Sequence, residues 1–402
     1  MKIYTIPKKG YAEKQAAIVV RYGGADYIHI MPDGSKMEMP MGIAHFLEHK
    51  LFEDPELNIF EAFTQHGASA NAYTHFTHTA YYFNTIDHFQ ENLGLLFRLV
   101  QTPHFTDGNV EKEKGIILAE IDMYADNPYW QVYTGLHKAL FSASPLRRDI
   151  LGTRESVQSI QSSQLYDCYN HFYTPENMAL ICVGDLDQDQ VQGWAEGYLD
   201  ASTHDNLSRA ARSFRGDEPP QAAASVIEKQ MSVSIPLFQL GFKVLYNETP
   251  NPAVTAASHI LADMIAGESS EVYAELYDNG MIDNQFSTEY IGGAYYGIFI
   301  FSGVSPQPEA VRSRILHTLD SLRKNGLSKG RFETIKSKHI GRFIRGLNSI
   351  DNVSSIQAEI FTKGQDIPAL TEAFRQVSLE DAEAQLRACL REDNYALSVI
   401  RP

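Results

Sequence analysis

The chain has 402 residues, a length that suits two domains of about 200 residues better than a single core. Its 44% hydrophobic and 21% charged content is ordinary for a folded globular protein, and a formal net charge of −16 argues against a nucleic-acid backbone as partner. Cys168, Cys182 and Cys389 are far apart and form no C-x-x-C pair, so neither a disulfide framework nor a thiolate metal site is expected.

No apolar stretch follows the lysines near Met1 to make a signal peptide, and the longest apolar runs, residues 16–20 and 178–183, are strand-sized. The expectation is a cytoplasmic protein without a membrane span. In chain order, residues 16–22 read as a strand, 42–52 and 59–65 as helices, and 70–74 and 79–86 as a strand pair rich in aromatic and β-branched residues. A long helical region follows, closed by a strand at 179–184. Residues 204–221, with Pro219 and Pro220 among charges, read as a linker.

The second half repeats the order: strand 237–245, helices 253–266 and 270–277, strands 284–290 and 295–301, helices, and a closing strand at 395–400. The expected class is α+β, as two homologous α/β-sandwich domains arising by duplication. Their predicted ranges are 1–203, with 204–221 as linker, and 222–402.

The chemistry concentrates in Pro40-Met41-Gly42-Ile43-Ala44-His45-Phe46-Leu47-Glu48-His49. Pro40 suits a first helical turn, and Ile43, Leu47 and Leu51 recur at helical spacing. His45 and His49 then stand one above the other, placed to grip a single zinc ion. Glu48 lies on nearly the same side, within reach of a proton on activated water. His-x-x-Glu-His is the inverzincin motif. Taken alone it also fits two surface histidines beside an acid on an amphipathic helix.

Downstream, residues 111–120 read as a helix with Val110, Ile117, Leu118 and Ile121 as its apolar positions. Glu113 and Glu120 are two turns apart and share a face. A catalytic zinc takes three protein ligands, and two histidines with one glutamate form a known set. Glu120 is the expected third ligand of one zinc per chain, leaving Glu113 to orient a ligand from behind. His75 and His78 sit in a strand-like run whose alternation would send them to opposite faces, which reads as a structural role. No phosphate-binding loop, dinucleotide fingerprint or deaminase pattern occurs.

His45-Phe46-Leu47-Glu48-His49, Asn71-Ala72-Tyr73-Thr74, Glu113 with Glu120, and Phe172-Tyr173-Thr174-Pro175-Glu176-Asn177-Met178 together resemble the pitrilysin/insulinase family of zinc peptidases, in its branch similar to mitochondrial processing peptidase. The resemblance covers almost the whole chain, with its specific motifs confined to the first half. It implies a zinc-dependent endopeptidase that hydrolyses peptides by attack of metal-activated water, with Glu48 moving the proton. It also implies that a flexible peptide adds a strand to a sheet edge near Asn71 and Ala72. The alternative is a non-catalytic scaffold or a peptide-maturation partner of the same fold.

Active members of the family carry an Arg and Tyr six apart in the second domain. Here Tyr277 and Asp283 occupy those places, and His259 is followed by Asp263 without a second histidine. The expectation is therefore a dimer with a homologous subunit that carries the missing Arg/Tyr pair.

Overall fold

The computed structural model describes residues 1–30, 34–199, 211–212 and 218–402; most of the expected linker, residues 204–210 and 213–217, lies outside them. Its strands in chain order are β1 (Lys2–Pro7), β2 (Lys14–Val20), β3 (Ile28–Ile30), β4 (Lys36–Glu38), β5 (Ser69–Thr74), β6 (Thr79–Thr85), β7 (Met178–Gly184), β8 (Ala211–Arg212), β9 (Val226–Gln230), β10 (Leu237–Leu245), β11 (Ser287–Gly292), β12 (Tyr296–Val304) and β13 (Tyr395–Arg401).

Two five-stranded sheets run β1-β7-β2-β6-β5 and β9-β13-β10-β12-β11, and a small third sheet runs β4-β3-β8. The two large sheets follow one plan. The first strand pairs parallel with the closing strand, and the remaining pairs are antiparallel. The expected duplicated α+β fold is what the chain adopts. The edge strands β1 and β9, which the sequence pattern does not reveal, are half-buried or exposed along most of their length and so lack an apolar run.

In the first sheet, Ala16, Ile18 and Val20 of β2, Tyr81 and Phe83 of β6, and Leu180 and Cys182 of β7 turn one face into a helix-covered core with Phe46, Leu47, Leu93, Phe97 and Val110. Alternation sends Ala17, Val19, Ile181 and Val183 to the opposite face, yet these are buried too. The helix Ile350–Thr362, from the far end of the sequence, lies against β7 and β2. A sheet covered on both faces needs continuous apolar strands, which is why residues 16–20 and 178–183 show no polar alternation.

The second sheet receives a helix in the same way. Pro128–Leu140, from the first half of the sequence, packs on β13 and β10, with Val132 beside Leu237 and Ile400. Gly135 permits the close approach, since a Cβ there would sit 2.6 Å from Ser398 Oγ. The compact units are accordingly discontinuous. One comprises Met1–Ile121, Asp149–Phe214 and Gly346–Gly364; the other comprises Asp122–Arg148, Arg215–Arg345 and Gln365–Pro402. These units depart from the contiguous ranges 1–203 and 222–402 at the two exchanged helices, because covalent order does not determine which sheet a helix covers.

All three cysteines are free and buried. Among the described residues, no helix is long and apolar enough to cross a membrane.

Candidate metal centre

The helix Ile43–Lys50 begins at Gly42, whose φ of 86° lies in the left-handed region. Any Cβ at Gly42 would come within 2.4 Å of the Leu151 carbonyl oxygen, so the chain needs glycine at this entry on two counts. Pro40 lies in the turn before the helix rather than in its first turn, and its carbonyl accepts from Ile43 N–H at 3.3 Å. Ile43, Ala44, Phe46 and Leu47 anchor the helix in the core, which orients the opposite stripe. On that stripe the rings of His45 and His49 lie 4.6 Å apart.

A second helix, Asp107–Ala125, supplies the carboxylates and is held in the same core by Val110 and Ile117. Glu120 Oε2 lies 3.6 Å from His45 Nε2 and 3.5 Å from His49 Nε2. Ligand atoms of these three residues all fall within 4.8 Å of one another, and they form the one such group among the described residues. Ligands about 2.0–2.1 Å from a tetrahedral zinc stand about 3.3 Å from each other, so the donor spacing and the N, N, O donor set fit that ion.

Glu113 is the buried member of the carboxylate pair and stands on the far side of His49, with Oε1 3.0 Å from Nδ1. A ring nitrogen engaged in this way leaves Nε2 as the lone-pair atom facing Glu120. His45 Nδ1, also buried, has no hydrogen-bond partner among the described residues. Lys50, the last residue of the first helix, reaches the Glu113 carboxylate from its other side at 3.8 Å.

Burial and the neighbouring His49 lower the His45 pKa to about 3, so this imidazole stays neutral, the form that binds a cation. Burial opposes charge on His49 as well, but the Glu113 hydrogen bond and the charges of Glu48, Glu113 and Glu120 outweigh it and raise its pKa. Burial raises Glu120, with the Glu113 charge adding to the effect against the opposing pull of His49. Three glutamates gathered around two imidazoles make a pocket whose electrostatics call for a positive charge.

Glu48 is buried, and this pushes its carboxyl up to about 6 against the opposing effect of a hydrogen bond from Thr74. Thr74 Oγ1 donates to Glu48 Oε2 at 2.8 Å and lies 3.3 Å from Thr79 Oγ1, which itself donates to the Tyr22 carbonyl at 2.9 Å. A carboxyl poised near neutrality and locked in orientation has the properties of a general base. Sequence motifs assign Thr74 no role of its own. The signal that points to it is its strand-end position opposite Thr79, a cross-strand pair at the mouth of the hairpin.

Asn71 and Ala72 lie on β5, which pairs with β6 on one side and ends the sheet on the other. The Asn71 side chain accepts from Ala72 N–H at 2.8 Å. His75 and His78 do not occupy opposite faces of a strand. They flank the hairpin turn, His75 N–H donating to the His78 carbonyl at 2.8 Å, and their rings are 5.1 Å apart. Four-residue turns bring their ends together, which strand alternation does not anticipate.

In the second unit, Tyr277 is half exposed and stacks on Tyr273 at 5.9 Å, while Asp283 Oδ1 accepts from Gln285 N–H at 2.9 Å. Asp263 is buried 2.9 Å from Lys338 Nζ and 3.3 Å from His339 Nε2.

Residues 30–154 match the family described as insulinase (peptidase family M16), and residues 159–338 match the M16 peptidase inactive domain. The chain is 32% identical over 416 residues to the uncharacterized zinc protease YmfH of Bacillus subtilis, covering 100% of this chain and 94% of that protein. It is 25% identical to the mitochondrial-processing peptidase subunit beta of Dictyostelium discoideum, across 90% of this chain and 80% of that one. The crystal structure of a putative M16-like peptidase from Alicyclobacillus acidocaldarius superposes with a TM-score of 0.94 at 34% identity, covering 100% of this chain and 95% of the other. With the inverted histidine motif, the downstream glutamates and the duplicated sheet plan in agreement with these likenesses, the chain belongs to the M16 (insulinase) family of peptidases.

Proposed function

We propose that this chain is the metal-carrying subunit of a zinc-dependent endopeptidase. The observation that carries the reading is the convergence of His45 Nε2, His49 Nε2 and Glu120 Oε2 beside a buried Glu48 held by Thr74. His45, His49 and Glu120 would hold one zinc ion, and Glu113 would fix the His49 ring from behind. Zinc in such a site acts as a Lewis acid, polarising a carbonyl and making water acidic enough to ionise near neutral pH.

Glu48 takes the proton of the attacking water and passes it to the leaving amine. The substrate peptide adds a strand along the open edge of β5 at Asn71 and Ala72, so main-chain hydrogen bonds supply affinity with little side-chain preference. The three free cysteines suit a reducing cytoplasm, where we place the protein.

The decisive test is Glu48→Gln, which removes the base and no ligand. The variant is expected to keep its zinc and to lose at least ~100-fold in peptide hydrolysis. Hydrolysis retained by a zinc-replete Glu48→Gln protein would remove Glu48 from the mechanism. A non-catalytic scaffold is the competing reading, favoured by Tyr277 and Asp283 standing where the family's Arg/Tyr pair is expected. Elemental analysis separates the two, since one firmly held zinc per chain supports the enzyme.

We further propose that a homologous subunit supplies the missing pair. The Dictyostelium relative is itself named as a subunit. A second copy of this chain would bring the same Tyr277 and Asp283, so self-association does not repair the deficit, and poor positioning of a peptide costs much of the rate. Isolated chain should bind zinc and cleave feebly, with activity rising as the partner is titrated in. Vigorous cleavage by the chain alone, indifferent to any homologous partner, defeats the pairing idea.

A further inference from the structure

Lys50 is an unusual residue to find at the end of the metal helix, because its side chain is completely buried. The ammonium pairs with Glu53 Oε2 at 2.6 Å, donates to the Asn109 carbonyl at 3.3 Å, and stands within ion-pair range of Glu113 Oε2 at 3.8 Å. Asn109 and Glu113 are one turn apart on the helix Asp107–Ala125, so a single cation bridges the two helices that carry the metal-site residues.

The Glu113 carboxylate therefore stands between two groups. Oε2 faces Lys50, and Oε1 faces His49 Nδ1 at 3.0 Å. The carboxylate is hydrogen-bonded to His49 through one oxygen and drawn toward the Lys50 charge through the other, which favours the orientation that faces the imidazole.

We propose that Lys50 is a positioning residue of the metal centre, which orients Glu113 so that Glu113 in turn aims His49 Nε2 at the ion. The inference rests on the zinc-site reading above and extends it to a residue outside the inverzincin motif. A lysine serving only to tie two helices together would add stability in the zinc-free protein and nothing specific to metal affinity. A positioning lysine acts on metal affinity through Glu113 and through nothing else.

A double-mutant cycle on the full chain distinguishes these roles, with zinc affinity measured by competition against a chromophoric chelator and zinc-free unfolding measured alongside. Lys50→Met replaces the ammonium by an apolar chain of similar length and leaves the Glu53 and Glu113 carboxylates without it, a loss that destabilises a buried pair, so the zinc-free unfolding curve is read beside every affinity. It is expected to weaken zinc binding about 10-fold or more, on the scale of lost outer-shell partners. In a Glu113→Gln background the same substitution should cost less than about threefold, because its route to His49 is already cut. Should Lys50→Met fail to fold, Lys50→Gln, which keeps a donor for the Asn109 carbonyl and removes the charge, carries the same expectation.

Zinc affinity unchanged by either substitution overturns the proposal, as does an equal loss with and without Glu113. A wild-type chain that takes up no zinc overturns both this proposal and the zinc-site reading. A wild-type chain that binds zinc while the Lys50 variants bind equally well overturns this proposal alone.

Discussion

The two units of this molecule are the same sheet plan put to different uses. Each large sheet has the order first, last, second, fourth and third strand, and the hairpins correspond residue for residue, Ser69 opposite Asn84 matching Ser287 opposite Ser302. At the hairpin mouth the first unit places Thr74 opposite Thr79, where a hydroxyl holds Glu48; the second places Gly292 opposite Gly297, which offers no side chain at all.

On the first helix that follows its second large-sheet strand, Ile43–Lys50, the first unit carries His45 and His49 facing Glu120. The corresponding helix, Pro252–Ala266, carries Asp263, which is met by Lys338 and His339 from the helix Lys329–Gly346. In the second unit a built-in ammonium supplies the positive charge. In the first, two imidazoles and a carboxylate converge, and on the reading proposed above an ion would bring that charge. The lesson is that strand order and apolar pattern are maintained independently of a handful of polar side chains, so one fold carries the His/Glu cluster in one unit and none among the described residues of the other.

The comparison can be broken first at the ligands themselves. His45→Ala, His49→Ala and Glu120→Ala should each abolish stoichiometric zinc, whereas Asp263→Ala should leave the zinc content untouched, as read by elemental analysis. Loss of zinc in the Asp263 variant would mean that the second unit shares in the metal site. Next in size, Glu113→Ala should weaken zinc by about 10–100-fold without abolishing it, since it removes the group behind His49 and not a ligand. Abolished binding there, with Glu120→Ala intact, would exchange the two roles.

The second unit offers a test by acid. Burial pushes Asp263 up, but the His339 and Lys338 contacts outweigh it and bring its pKa down to about 2. An aspartate depressed from its unfolded value of about 3.9 stabilises the native state above that pH and loses its contribution as pH falls toward the folded value, a total of about 2–3 kcal/mol. Asp263→Asn should therefore lower unfolding stability by about 2–3 kcal/mol at pH 6 and narrow its gap to wild type between about pH 4 and pH 2. A gap that stays constant across that window would show that the ion pair contributes nothing net.

The smallest expected effect sharpens the hairpin contrast. Thr74→Val should keep zinc and fold while lowering kcat/KM by about tenfold, the equivalent of a hydrogen bond to a charged acceptor. The equivalent site of the second unit, Gly292, has nothing to lose.

Much of the centre is legible in the amino-acid sequence. Helical spacing puts His45, Glu48 and His49 on one face, because 3.6 residues per turn is a local property of the backbone. The same rule aligns Glu113 with Glu120, and the repeated strand grammar announces the duplication. Local sequence does not say that two helices change partners, since an apolar stripe on Ile350–Thr362 or Pro128–Leu140 fits any sheet face with matching shape.

Nor does it say which side chains meet across elements. Thr74 finds Glu48 from 26 residues away and Lys50 finds Glu113 from 63, by the way strands and helices pack and not by any spacing along the chain. Sequence by itself determined the apolar central strands, the main helices, their order and the donor types of the centre, because each depends on backbone period and side-chain chemistry, while the polar edge strands β1 and β9 carry no such signal. Only the tertiary structure decided which helix covers which sheet, and that Glu113 stands behind His49 and Thr74 beside Glu48, because close packing selects one set of long-range contacts out of many that the pattern allows.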